Sequence, residues 1–169
     1  MNLFRNKLFW VALVCAAPLV LGTAAYLLRW SPGTPSNYGE LLTPTPVAGL
    51  EALRGKWVLV MFDAAACDAR CEQKLYYMRQ VRRAQGKDMS RVERLWVITN
   101  GAKPREEILP GIEGTRLAAL SDKEFPGKAV DHIYLVDPLG NLMMRFPRDP
   151  DPSRMIKDLQ RLLRSSRFG

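Results

Sequence analysis

Two cysteines four residues apart, Cys67 and Cys71, lie in the stretch Phe62-Asp63-Ala64-Ala65-Ala66-Cys67-Asp68-Ala69-Arg70-Cys71. The apolar run Trp57 to Met61 precedes it and Gln73 to Met78 comes after, so the thiols stand where a strand gives way to a helix. A thiolate placed there is exposed and its pKa can be lowered, which makes it a nucleophile or a ligand for a soft metal. Residues i and i+4 of a helix lie on one side, about 40° apart around its axis, so both sulfurs can point to one atom. Soft thiolates select Cu(I), and an added nitrogen donor also accommodates Cu(II). The chain has a single histidine, His132, in Val130-Asp131-His132-Ile133-Tyr134. The plainer reading of the cysteine pair is a structural disulfide, and of His132 an ordinary strand-end residue. Asp63, Asp68, Glu72 and Asp131 read as surface charges, and Tyr76, Tyr77 and Met78 as helix packing, with Met78 a soft auxiliary contact at most.

The elements that must position these groups are legible in the pattern. Trp57 to Phe62 is apolar throughout and predicts a strand buried on both faces. Cys71 to Gln85 carries Leu75, Met78 and Val81 at helical spacing, and Gly86 is a stop signal. Arg94 to Thr99 is a second buried strand ended by Asn100-Gly101. Lys103 to Lys128 is harder to read: a short helix at Glu106 to Leu109, turns at Pro110-Gly111 and Pro126-Gly127, and a short strand at Leu117 to Leu120. Ile133 to Asp137, the turn Pro138 to Asn141 and Leu142 to Phe146 predict a hairpin. Asp151-Pro152-Ser153 opens a last helix whose apolar face is Met155, Ile156, Leu159, Leu162 and Leu163. The order is that of an α/β thioredoxin-like sandwich, a central mixed sheet flanked by helices. In that fold the loop before the hairpin comes close to the first turn of the cysteine helix. Thioredoxins that exchange disulfides carry a cis-proline in that loop, and no proline lies between Lys128 and Asp137.

The compartment is read from the front of the chain. Leu8 to Leu28 contains no charged residue, and these 21 residues are long enough to cross a bilayer as a helix. A cleaved signal peptide is the alternative, with Arg5 and Lys7 as its basic region and Thr23-Ala24-Ala25 as a cleavage site, but its apolar core would be too long. Arg5 and Lys7 on one side, with only Arg29 close on the other, put the N-terminus in the cytoplasm and the rest in the periplasm. The expected organisation is a cytoplasmic N-terminus at 1–7, a transmembrane helix at 8–28, a Pro- and Thr-rich periplasmic linker at 29–47 and the thioredoxin-like domain at 48–169. Cys15, inside the membrane run, reads as a small apolar filler. The chain carries a net charge of +8; setting aside Arg5, Lys7 and Arg29 leaves 22 basic against 17 acidic residues, or +5. The cluster Arg79, Arg82, Arg83, Lys87, Arg91 and Arg94 reads as a solvated face, with anionic headgroups or an acidic protein as lesser alternatives. Nucleic acid is not expected outside the cytoplasm.

Over residues 50–165 the sequence resembles the Sco (SenC) family of membrane-anchored, thioredoxin-like proteins that assist assembly of the copper centre of cytochrome c oxidase. The resemblance lies in the buried strand, Phe62 followed by Cys-x-x-x-Cys, Val-Asp-His at 130–132 and Tyr-Leu-Val-Asp-Pro-Leu-Gly at 134–140. The chain looks like a short, divergent member. Asp68 and Glu72 stand where the family usually has proline, and His132 runs directly into its strand. The resemblance implies copper, as Cu(I) or Cu(II), bound by Cys67, Cys71 and His132. It also implies delivery to a cytochrome c oxidase subunit or another copper-assembly protein. Two alternatives remain open. One is a thiol-disulfide oxidoreductase using Cys67 and Cys71 to keep the oxidase copper-site cysteines reduced; the other is a non-catalytic assembly scaffold.

Overall fold

The computed structural model describes residues 7–28, 37–119, 125 and 130–166, in two compact units divided after Ser36. The first unit contains α1 (Lys7–Leu27), whose Phe9–Leu27 stretch is long and apolar enough to cross a membrane. Pro18 sits inside it, tolerated because its neighbours supply the rest of the helical ladder. Residues 1–6 and 29–36, with Arg5 and Arg29, lie outside the described residues.

The second unit is a six-stranded mixed sheet with helices α2 (Ala69–Arg83) and α3 (Pro152–Ser165). Its strands are β1 (Glu40–Pro46), β2 (Trp57–Asp63), β3 (Val92–Ile98), β4 (Arg116–Ala118), β5 (Ile133–Val136) and β6 (Asn141–Arg145). They are ordered β1-β6-β5-β2-β3-β4, with β2, β3 and β4 parallel and β5, β6 and β1 antiparallel to their neighbours. This is the expected α/β thioredoxin-like sheet.

The continuous apolar run of β2 is explained by its central place: Leu59 and Met61 enter one core and Val58, Val60 and Phe62 the other. The first core receives Cys71, Leu75, Met78 and Val81 from α2, and Met155, Leu159 and Leu163 from α3. The second is filled by Leu50, Leu53, Phe125 and Tyr134. Each large side chain buried here contributes roughly 1.5–3 kcal/mol.

The expected linker gives up its second half to the fold. Glu40 to Pro46, assigned to the tether from proline and threonine content, pair with β6 as an edge strand, where a missing proline N–H is tolerated. Asp158 of α3, only 2 % exposed, anchors its start by accepting the backbone N–H groups of Tyr38 and Gly39, both at 2.8 Å. A Cβ on Gly39 would run into the buried Met144 side chain, so a larger residue there would force Met144 to shift. The 103–128 segment contains 3-10 turns over Glu106–Ile112 and the short β4; Leu120 and the Pro126-Gly127 turn fall outside the described residues.

Candidate functional site

Asp63 ends β2 and fastens the loop between that strand and α2. Its backbone carbonyl accepts Thr99 N–H at 3.0 Å, its Oδ1 accepts Ala64 N–H at 2.9 Å and its Oδ2 pairs with Lys74 Nζ at 2.8 Å. Asn100 Oδ1 accepts Ala65 N–H at 3.2 Å, so the β3 end and the β2 end hold the loop jointly. Cys67 N–H then closes a turn onto the Ala64 carbonyl at 3.1 Å, and Cys67 takes a left-handed backbone conformation at φ 43°. Few residues other than glycine adopt that region, and a tight surrounding is needed to hold one there.

Cys67 therefore lies before the helix and not on it, which corrects the expectation of two sulfurs on one helical side. Asp68 is the N-cap: its carboxylate accepts Cys71 N–H at 2.9 Å, so a residue read as a surface charge is what starts α2. The turn at Cys67 and the first turn of α2 bring the two Cα atoms to 5.1 Å, and the sulfurs form a disulfide. Both cysteines are buried, Cys67 at 1 % and Cys71 at 0 % exposure, where the sequence suggested an exposed thiolate. The cover comes from Arg105, which donates to the Cys67 carbonyl at 2.7 Å and pairs with Glu72 at 2.8 Å, and from Ile108 and Ile112 packed into the same core.

His132 is half-buried just before β5, and the segment carrying it is fastened to α2. Lys74 Nζ donates to the Val130 carbonyl at 2.6 Å, and Arg70 in the first turn of α2 pairs with Asp131 at 3.7 Å. Arg148 approaches Asp131 from the other side at 3.1 Å. The His132 ring lies with Nδ1 2.8 Å from the Phe146 carbonyl. A carbonyl oxygen only accepts, so Nδ1 carries the proton and Nε2 of the neutral ring keeps its lone pair. In this disulfide form Cys67, Cys71 and His132 are not gathered as a ligand set: among the described residues no three His, Cys, Asp or Glu side chains are close enough to hold a metal.

Lys74 and Arg105 are functional neighbours that the sequence pattern does not single out. Lys74 had a signal, since it falls three residues after Cys71 on the apolar side of α2 with Leu75 and Met78. Arg105 had none, because the 3-10 segment that delivers it has no clear period. Tyr76 departs from its expected packing role: it is 51 % exposed, with Arg79 over its ring at 5.8 Å, while Met78 is fully buried.

A search of curated proteins returned no match. Among solved structures, apo Sco1 from Thermus thermophilus is similar at 20 % identity and a TM-score of 0.56, covering 75 % of this chain and 96 % of that one. Copper-bound yeast Sco1 is similar at 14 % identity and a TM-score of 0.56, covering 79 % and 96 %. The thioredoxin domain of a thiol-disulfide oxidoreductase from Bacteroides vulgatus shares 23 % identity at a TM-score of 0.50, covering 78 % and 99 %. At such identities the likeness shows the thioredoxin-like fold. The family model described as the transmembrane-like, thioredoxin-like C-terminal domain matches residues 57–166, from the first residue of β2 to just past the end of α3. The chain belongs to that transmembrane-like, thioredoxin-like family.

Proposed function

We propose that this protein is a membrane-tethered copper-assembly factor of the Sco type. Its reduced domain, held in the periplasm by α1, takes one copper ion on Cys67 and Cys71 and passes it to a cytochrome c oxidase subunit or another copper-assembly protein. The observation that supports this reading most is the pairing of two elements at one place. The sulfurs meet at the first turn of α2, and that same helix holds the His132 segment through Arg70 and Lys74. The Nδ1–H to carbonyl bond is the arrangement commonly found behind a ligating imidazole, with Nε2 left as the third donor. Two thiolates and an imidazole suit copper in either oxidation state. Loading requires reduction of the disulfide and displacement of the Arg105–Glu72 cover, after which the first turn of α2 and the 130–132 segment close on the metal.

The test is anaerobic. The purified full chain is reduced, given one equivalent of Cu(I), desalted and assayed for copper; retention near one ion per chain is expected, lost in Cys67→Ser and Cys71→Ser and reduced in His132→Ala. Absence of retained copper in the reduced wild type would overturn the reading.

The disulfide itself favours a second reading, a thiol-disulfide oxidoreductase. In the reduced domain the Cys67 thiolate attacks a disulfide of the oxidase copper site, forming a mixed disulfide and releasing one partner thiolate. Cys71 then attacks Cys67, freeing the second partner thiol and leaving Cys67–Cys71 oxidised, to be reset by a dithiol reductant. Rapid exchange with a protein disulfide, without copper retention, would support this reading over the first.

A further inference from the structure

The arginines that the sequence presents as a solvated face gather around a cavity on the sheet side of α2. Arg79, Arg82 and Arg83 come from the last turns of α2 and Arg94 from β3, and with Met89, Glu113 and Gly114 they line a space of about 280 Å³. Alternation along β3 puts Arg94 on the face of Val92 and Trp96, beneath the helix, where it is only 3 % exposed. One of its nitrogens, Nη2, donates to the Glu113 carbonyl. Its Nε and Nη1 are buried with no hydrogen-bond partner among the described residues, as is Nε of Arg79. Arg82 uses its Nε on the Val92 carbonyl at 2.6 Å. Four of the lining residues are arginines and one, the exposed Glu113, is acidic; the Glu93 carboxylate also acts on Arg94 from the preceding position of β3.

A buried donor without an acceptor is costly, and like charges held around one space raise that cost further. Both costs disappear when an anion with several acceptor oxygens enters. We infer that this cavity is a binding site for a phosphate-class oxyanion, with Arg94 at its floor and Arg79, Arg82 and Arg83 around it. The ligand class is set by geometry. Guanidinium forks match the oxygens of phosphate, and a tetrahedral oxyanion presents oxygens to donors arriving from both the helix and the strand. A carboxylate offers two oxygens in one plane and satisfies a single fork. The volume admits a phosphate group with a small substituent, so free phosphate and the phosphodiester of a lipid headgroup share the required chemistry. None of the lining residues belongs to the cysteine site, so the inference stands apart from the copper reading.

The test measures thermal unfolding of the full chain in a neutral detergent. Two probes are compared, inorganic phosphate and glycerophosphoglycerol, a headgroup diester without acyl chains, against chloride at matched ionic strength. Either probe should raise Tm by at least about 2 °C and increasingly with concentration. A response to phosphate alone identifies free phosphate as the source, and a response to the diester identifies the headgroup. Arg94→Met should abolish the shift. If that variant fails to fold, the α2 pair Arg79→Gln and Arg83→Gln serves instead and should reduce the shift at least fivefold. An equal effect of chloride, a shift that survives both sets of substitutions, or a response to an acidic peptide in place of both phosphates would overturn the inference.

Discussion

Lys74 Nζ lies 2.8 Å from the Asp63 carboxylate, with the lysine side chain 3 % exposed and the aspartate 16 %. The same ammonium donates to the Val130 carbonyl, so one buried charge joins the end of β2, the second turn of α2 and the approach to His132. Removing the cation strands a carboxylate and a carbonyl in a largely dry place. Lys74→Ala should cost about 3 kcal/mol, measured by urea unfolding, and should speed amide exchange at 131 and 132. A loss under about 1 kcal/mol, or unchanged exchange there, would mean that the pair does not hold the histidine segment.

Asp68 offers a smaller and cleaner case. It caps α2 through the Cys71 N–H, and the cap also sets where the second sulfur begins. Asp68→Ala should destabilise the oxidised domain by about 1 kcal/mol, whereas Asp68→Asn, which can still accept that hydrogen bond, should lose much less. Equal losses in the two variants would assign the effect to charge and not to capping.

Arg94 has its pKa lowered to about 10, first by burial and then by Arg82, Arg79 and Arg83, against a small opposing pull from Glu93. The folded chain therefore binds this proton less readily than the unfolded chain does. The resulting penalty on stability is present in full below about pH 10 and fades as pH rises from there toward the higher, ordinary arginine value of the unfolded chain. Arg94→Met should accordingly be more stable than wild type by about 1–3 kcal/mol in chloride buffer at pH 7, read from the urea midpoint. Destabilisation would show that the bond to the Glu113 carbonyl outweighs the buried charge.

For His132 the relevant quantity is the tautomer. Long-range proton–nitrogen correlation spectra of the neutral ring should show Nδ1 protonated and Nε2 bare, because the Phe146 carbonyl can only accept. Protonation at Nε2 instead would remove the lone pair that the copper reading needs.

Much of the fold was legible in the chain. The run from Trp57 to Phe62 fits a strand buried on both faces, since apolar residues on both faces require cover on both sides, and β2 has it. The hairpin and α3 were equally plain, the first from its turn residues, the second from Asp151-Pro152 ahead of a helical stripe. Glu40 to Pro46 was not, because threonine and proline at an edge look the same as a tether until a partner strand is known. The basic cluster was visible as composition, but nothing local distinguishes the buried Arg94 from the exposed Arg83.

The cysteine pair shows the division most clearly. The sequence alone determined that two sulfurs stand where a buried strand gives way to a helix, close enough along the chain to bond. It did not contain the Arg105 cover or the Lys74 and Arg70 contacts to the His132 segment, because each joins groups far apart in the chain. Short-range spacing decides which atoms can meet; the packing of α2 against the sheet and its neighbouring loops decides which of them do, and how far they are closed off from water.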